Sequence, residues 1–124
     1  MKVTVYHRDF DNKNAYTRVA EVFCEGITDE EEACEYAYRW TQNIHDSWSH
    51  PKGVADKNEN VVIVGELPVR NGKTFGLRSS MMGDRFYINS GSVYDCAMIG
   101  FEEVPAREEV SWLTKRSEIG FVFQ

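Results

Sequence analysis

From Met1 to Arg8 apolar and polar residues alternate, the period of two that predicts a strand. Turn-forming residues follow in Asp9-Phe10-Asp11-Asn12-Lys13-Asn14 and predict a loop. A second strand is expected over Thr17 to Cys24. There Ala20, Val22 and Cys24 share one face, while Val19 and Phe23 share the other with Glu21. A strand with apolar residues on both faces reads as central in its sheet.

The period then changes. Ala33, Ala37, Trp40 and Ile44 recur at helical spacing and predict one principal helix from Asp29 to Ile44, packed on the sheet with Trp40 in the core. Thr28-Asp29-Glu30-Glu31 has the capping-box pattern, so Thr28 is the expected cap. The acidic run Asp29 to Glu32 suits the positive end of the helix dipole and needs no metal to explain it. From His45 to Asn60 the chain is polar and carries Pro51 and Gly53, which predicts a long loop. Trp48 in that loop either pins it to the core or offers a stacking face. His45, Asp46 and His50 lack the spacing of a ligand set, so no metal is expected.

The second half reads as antiparallel β. Val61 to Val64 is a β-branched run, and Arg70-Asn71-Gly72-Lys73 carries the signal of a tight hairpin within a ribbon from Glu66 to Leu77. Arg85 to Ile88 and Val93 to Phe101 flank the turn Asn89-Ser90-Gly91-Ser92. Pro105 opens a short helix with Ala106, Val110 and Leu113 inward, and Ile119 to Phe123 reads as a last strand. The expected fold class is α+β, with a mainly antiparallel sheet packed against one principal helix and a short C-terminal helix. One domain spans residues 1–124, with 105–124 packed on it as an extension.

Composition narrows the function. At 124 residues and 42% hydrophobic, the chain has enough apolar content for one packed core. A net charge of -6 disfavours general nucleic-acid binding, which needs a cationic face, but leaves room for a basic pocket. Cys24, Cys34 and Cys96 are odd in number and far apart, so they read as reduced core thiols of a cytoplasmic protein. No apolar run has the length of a membrane span.

The densest chemistry lies in Leu77 to Ile88. Arg78 offers a fork for a phosphate or carboxylate, Ser79 and Ser80 offer hydroxyls, Gly83 permits a turn with convergent amides, and Asp84 can accept from a hydroxyl or base edge. The competing structural reading has the serines satisfying turn amides, Asp84 capping the turn, and Arg78 pairing with a surface carboxylate. No serine or cysteine has a histidine at informative spacing, so neither catalytic residues nor a cofactor are expected.

Thr41-Gln42-Asn43-Ile44 before Trp48, then Arg78-Ser79-Ser80-Met81-Met82-Gly83-Asp84, then Ile99-Gly100-Phe101-Glu102, resemble motifs of small proteins carried by bacteriophages and mobile elements. The likeness spans Thr41 to Val104 and departs at Ser80-Met81-Met82, where a small hydroxyl and a valine belong. It implies a phage accessory protein that blunts a host defence, expressed in the host cytoplasm and expected to be a homo-oligomer. Two modes compete within it. One sequesters a small nucleotide-like anionic signal through Arg78, Ser79, Ser80, Asp84 and Gln42, with Trp48 or Tyr87 stacking on a base. The alternative inhibits a host defence protein through an acidic and aromatic surface.

Overall fold

Alternating side chains become strands only where neighbours complete their ladders, and among the described residues eight strands do so, six of them in one sheet. The structure, a computed structural model, describes residues 1–11, 15–44, 47–49, 58–64 and 67–105. Its strands are β1 (Lys2–Arg8), β2 (Tyr16–Phe23), β3 (Val61–Ile63), β4 (Val69–Arg70), β5 (Lys73–Thr74), β6 (Arg85–Ile88), β7 (Val93–Cys96) and β8 (Phe101–Glu103), with helix α1 (Glu30–Trp40) between β2 and β3. The main sheet runs β3-β2-β1-β6-β7-β8, and every neighbouring pair is antiparallel. The fold is α+β, with the sheet dominant and the helix only 11 residues long. The expected helix after Pro105, the strand Ile119 to Phe123, and His45, Asp46 and His50 lie outside the described residues.

Several expectations need correction. The middle of the sheet is β1 and β6, and β2 stands one position from the edge, with β3 outside it. The register slips between Val5 and Tyr6, which pair with Ala20 and Arg18, so Val19 is the extra residue of a bulge. It therefore joins Ala20 and Val22 in the core instead of sharing the far face with Glu21. The bulge resets the side-chain parity that simple alternation predicted.

The helix begins one residue later and ends four residues earlier than its periodicity suggested. Asp29, not Thr28, is the cap, and its carboxylate accepts from the Glu32 amide at 2.9 Å. At the other end the Thr41 hydroxyl donates to Ala37 O at 2.8 Å, the chain turns, and Ile44 is left exposed. Ala33, Cys34 and Ala37 form the buried stripe, small residues that let the helix lie close to β1. Trp40 is only half-buried, its ring covered by the Arg39 guanidinium at 4.3 Å and tilted against Tyr36. Among the described residues no helix is long and apolar enough to cross a membrane.

One face of the sheet, with Val3, Val5, Phe86 and Ile88, packs against α1, and the opposite face carries Tyr6, Tyr16, Tyr87, Val93 and Val104. Glu30 anchors the start of the helix. Its carboxylate accepts from Ser90 Oγ at 2.6 Å, Tyr94 Oη at 2.9 Å and Ser92 Oγ at 3.0 Å. The Ser90 bond, with the other two, holds the Glu30 pKa below its ordinary value against the opposing effect of burial. The N-terminus of α1 is thereby fixed at the β6–β7 turn, and its C-terminus at the end where β1 stops and β6 starts.

Replacing Glu30 by Ala should lower stability by about 1–3 kcal/mol, since it removes hydrogen bonds to a charged acceptor. Glu31→Ala, on the exposed side of the same turn, should stay within about 0.5 kcal/mol. Thermal unfolding of both variants, followed by circular dichroism, checks the contrast.

Candidate functional site

Residues 77–84 cross the end of the sheet at the C-terminus of α1, and the chain after the helix is knitted onto them. Ser80 N donates to Thr41 O at 3.0 Å, Gln42 Nε2 to Ser80 O at 2.9 Å, and Asn43 N to Ser79 Oγ at 2.8 Å. Asn43 Nδ2 donates to Leu77 O, and its Oδ1 accepts from Trp48 N. Trp48 Nε1 donates to Arg78 O at 2.9 Å, and the ring meets His7 edge-on with centroids 6.2 Å apart. Trp48 thus pins its loop. Gly76 lets the two segments approach, because a Cβ there would collide with Ser47 Oγ.

Asp84 is the hub of the bend. Its side chain is fully buried, and each carboxylate oxygen accepts twice. Oδ1 takes Arg8 N at 2.8 Å and Arg78 Nη2 at 2.7 Å; Oδ2 takes Met81 N at 2.8 Å and Arg78 Nη1 at 2.7 Å. Such a bidentate pair with two backbone amides fills the acceptor capacity of a carboxylate. Arg78 also donates from Nη1 to Ser79 O and from Nη2 to Arg8 O, so both ends of its fork are committed inside the protein. Its face lies over the Phe10 ring, 5.0 Å from the centroid.

Ser80 is buried between His7 and Thr41. Its Oγ lies 3.0 Å from His7 Nε2 and 2.7 Å from Thr41 Oγ1. Proton counting assigns the directions: Thr41 gives its proton to Ala37 O, so Ser80 donates to Thr41 and accepts from His7 Nε2–H. Burial pushes the His7 pKa down to about 4, with Asp84 opposing and Arg78 assisting the shift. The network needs a proton on Nε2, and it is burial that favours the neutral ring. Ser80, His7 and Asp84 do not form a catalytic triad, because the nearest Asp84 oxygen lies 3.9 Å from the same Nε2 that faces the serine. A triad carboxylate holds the other ring nitrogen. The buried thiols are equally unsuited to attack, burial pushing Cys96 up to about 11.

The structure brings Arg78, Ser79, Ser80, Asp84, Gln42 and Trp48 together, but as partners of one another. Arg78 pairs with the buried Asp84, not with a surface carboxylate. Tyr87 stands on the opposite face of the sheet. Sequence reasoning missed His7, Arg8 and Phe10, which no local motif marks. It also passed over Met81 and Met82, whose apolar character in a polar turn was the available signal.

Beside the hub is a cleft of about 300 Å³ walled by Arg8, Asp9, Phe10, Arg78, Met81 and Met82. Phe10 is 70% exposed and Met82 58%. The β7–β8 turn emerges at the same end, since Gly83 N donates to Cys96 O and Cys96 N to Asp84 O, both at 2.9 Å. Its Met98 and Ile99 are 84% and 90% exposed. Among the described residues no group of three His, Cys, Asp or Glu side chains is placed to hold a metal ion. No protein-family model, curated protein or solved structure matches the chain.

Asp84→Ala should cost about 3–5 kcal/mol, because it strands the Arg78 charge and two backbone amides; chemical denaturation reads the loss. His7 supplies a pH test. Its folded pKa of about 4 lies below the ordinary 6.5, so between those values the unfolded chain binds a proton that the folded one refuses. The His7 contribution to stability should therefore fall as pH drops below 6.5 and level off near pH 4, by at most about 3 kcal/mol. Urea midpoints measured across this window should fall less steeply in His7→Gln than in the parent.

Proposed function

We propose that the chain is a non-catalytic binding protein that engages another protein at the end of its sheet bearing Phe10, Met81, Met82, Met98 and Ile99. The observation that carries this reading is the exposure of these five large apolar side chains on three connections at one end of the sheet. Apolar residues scattered singly are ordinary surface, whereas a gathered set rimmed by polar groups marks an interface. Methionine and phenylalanine are also side chains enriched in interface cores.

Capture of a small anionic signal by Arg78 has weaker support. A phosphate at that fork would have to displace Asp84, leaving a buried carboxylate without its strongest donors. The adjoining cleft of about 300 Å³ stands at the lower limit of small-molecule sites. It suits one side chain or one ring better than a cyclic oligonucleotide. The motif resemblance of Thr41 to Val104 supplies the biological setting of the proposal, a phage or mobile-element protein acting on host defence. The three free, buried cysteines fit a reducing cytoplasm as the place of action.

Thermal melts with cyclic dinucleotides, cyclic trinucleotides and ADP-ribose isomers separate the two modes, since a ligand that binds only the folded state raises Tm. No compound in the panel should raise Tm. A saturable rise with one of them would overturn the protein-binding reading in favour of signal capture.

A further inference from the structure

We infer that the outer edge of β8 takes an extended segment of the partner protein whose alternate side chains are basic, one of them entering a cleft beside Glu35. The inference rests on the protein-binding reading above and names the chemistry of that partner along the flank adjoining Met98. The edge is the first observation. Strand β8 ends the sheet, and among the described residues no strand lies outside it. Ala97 N donates to Gly100 O and Val104 N to Val93 O, so Gly100, Glu102 and Val104 turn their backbone groups toward β7. The amides and carbonyls of Phe101 and Glu103 therefore point away from the sheet, as an added strand requires. Pro105, which lacks an N–H, stops the row at the next outward position. Two residues make a short ladder, so side-chain contacts must supply the specificity.

The cleft is the second observation. Phe101 and Glu103 fall on the face of the sheet that carries α1, because their cross-strand partners Cys96 and Tyr94 belong to the core beneath the helix. Along α1, Glu31, Glu35 and Tyr38 recur at the spacing of one helical stripe. Tyr38 meets Phe101 edge-on with centroids 6.1 Å apart, and with Glu35, Met98 and Gly100 these rings line a cleft of about 240 Å³. One long side chain fills such a space. Aromatic and thioether walls with a single carboxylate select an arginine or lysine, whose stem lies on the apolar walls while its cation reaches Glu35.

Charge is the third observation. Glu31, Glu35, Glu102 and Glu103 are exposed, and none of them forms an ion pair among the described residues. Glu31 and Glu35 are like charges one turn apart, which costs the helix stability until a cation comes between them. A residue added opposite Phe101 or Glu103 sends its side chain to the same face as they do. Basic residues two positions apart would therefore meet Glu35 in the cleft and Glu103 on the edge. The same acids reject a second copy, since pairing two β8 edges would set Glu102 and Glu103 against their own kind. A net charge of -6 steers a basic segment inward from a distance.

Fluorescence anisotropy of the full chain with a labelled peptide alternating arginine and threonine tests the inference. The peptide should bind saturably, and its counterpart with glutamate for arginine should not bind. Glu35→Gln and Glu103→Gln, each confirmed to be folded, should weaken binding by about tenfold, and so should N-methylation of the peptide amides that would face the edge. Glu59→Gln removes an equal charge beside β3, at the far edge of the sheet, and should change binding less than about twofold. An equal loss in Glu59→Gln overturns the inference by reducing it to net charge, and a methylated peptide that binds like its parent overturns it by removing the strand. A photo-crosslinker at position 103 that joins residues 106–124 of the same molecule, or a second copy, gives the edge another occupant and overturns it as well. Failure of the peptide to bind also overturns it. In that event a benzophenone at position 82 that joins a protein of bacterial extract leaves the protein-binding reading standing, and one that joins nothing overturns both.

Discussion

A carboxylate without water must find its donors inside the protein, and Asp84 finds four of them. Two come from the Arg78 fork and two from the amides of Arg8 and Met81. The end of β1, the turn before β6 and the extended segment that carries Arg78 therefore meet at one point. The same constraint extends further, because Arg78 O holds the Trp48 indole and Ser80 holds both Thr41 and His7. The C-terminus of the helix is positioned on the sheet through this polar chain. Its cost of desolvation is high, and only complete satisfaction makes such a buried network favourable.

This arrangement explains why the motif residues were suggestive of a receptor. A guanidinium, hydroxyls, a glycine turn and an acid are the groups that bind a phosphate, and they are also the groups that hold a buried bend. Sequence distinguishes these uses poorly, because the partners of Arg78 and Ser80 come from β1 and from the chain after α1. Those separations in sequence leave no local pattern. Where the governing contacts were local, the reading succeeded: β6 runs from Arg85 to Ile88 as expected, and Asn71 and Gly72 take the positive φ of 53° and 75° that their turn requires. The bulge at Val19 and the choice of Asp29 over Thr28 as cap were not legible. Each depends on how a neighbouring element fits, not on the residue's own preference.

The two ends of the sheet are chemically unlike. One is tied by Glu30 to three hydroxyls and carries the acidic turn of the helix. The other holds Arg78 and Asp84 as an internal pair and turns apolar side chains outward. Internal pairing and outward apolarity are linked: once Asp84 and Arg78 neutralise one another, the surface above them is left to Phe10 and the methionines. The hub makes the bend rigid and also removes its charge from the surface.

Three of the four methionines in the chain, Met81, Met82 and Met98, stand exposed at that one end. Peroxide converts a thioether into a polar sulfoxide, a change that methionine sulfoxide reductases reverse. Oxidative stress would therefore wet this surface without disturbing the core beneath it, whose bonds involve no methionine sulfur. The polarity of this end of the molecule is thereby tied to the redox state of its surroundings.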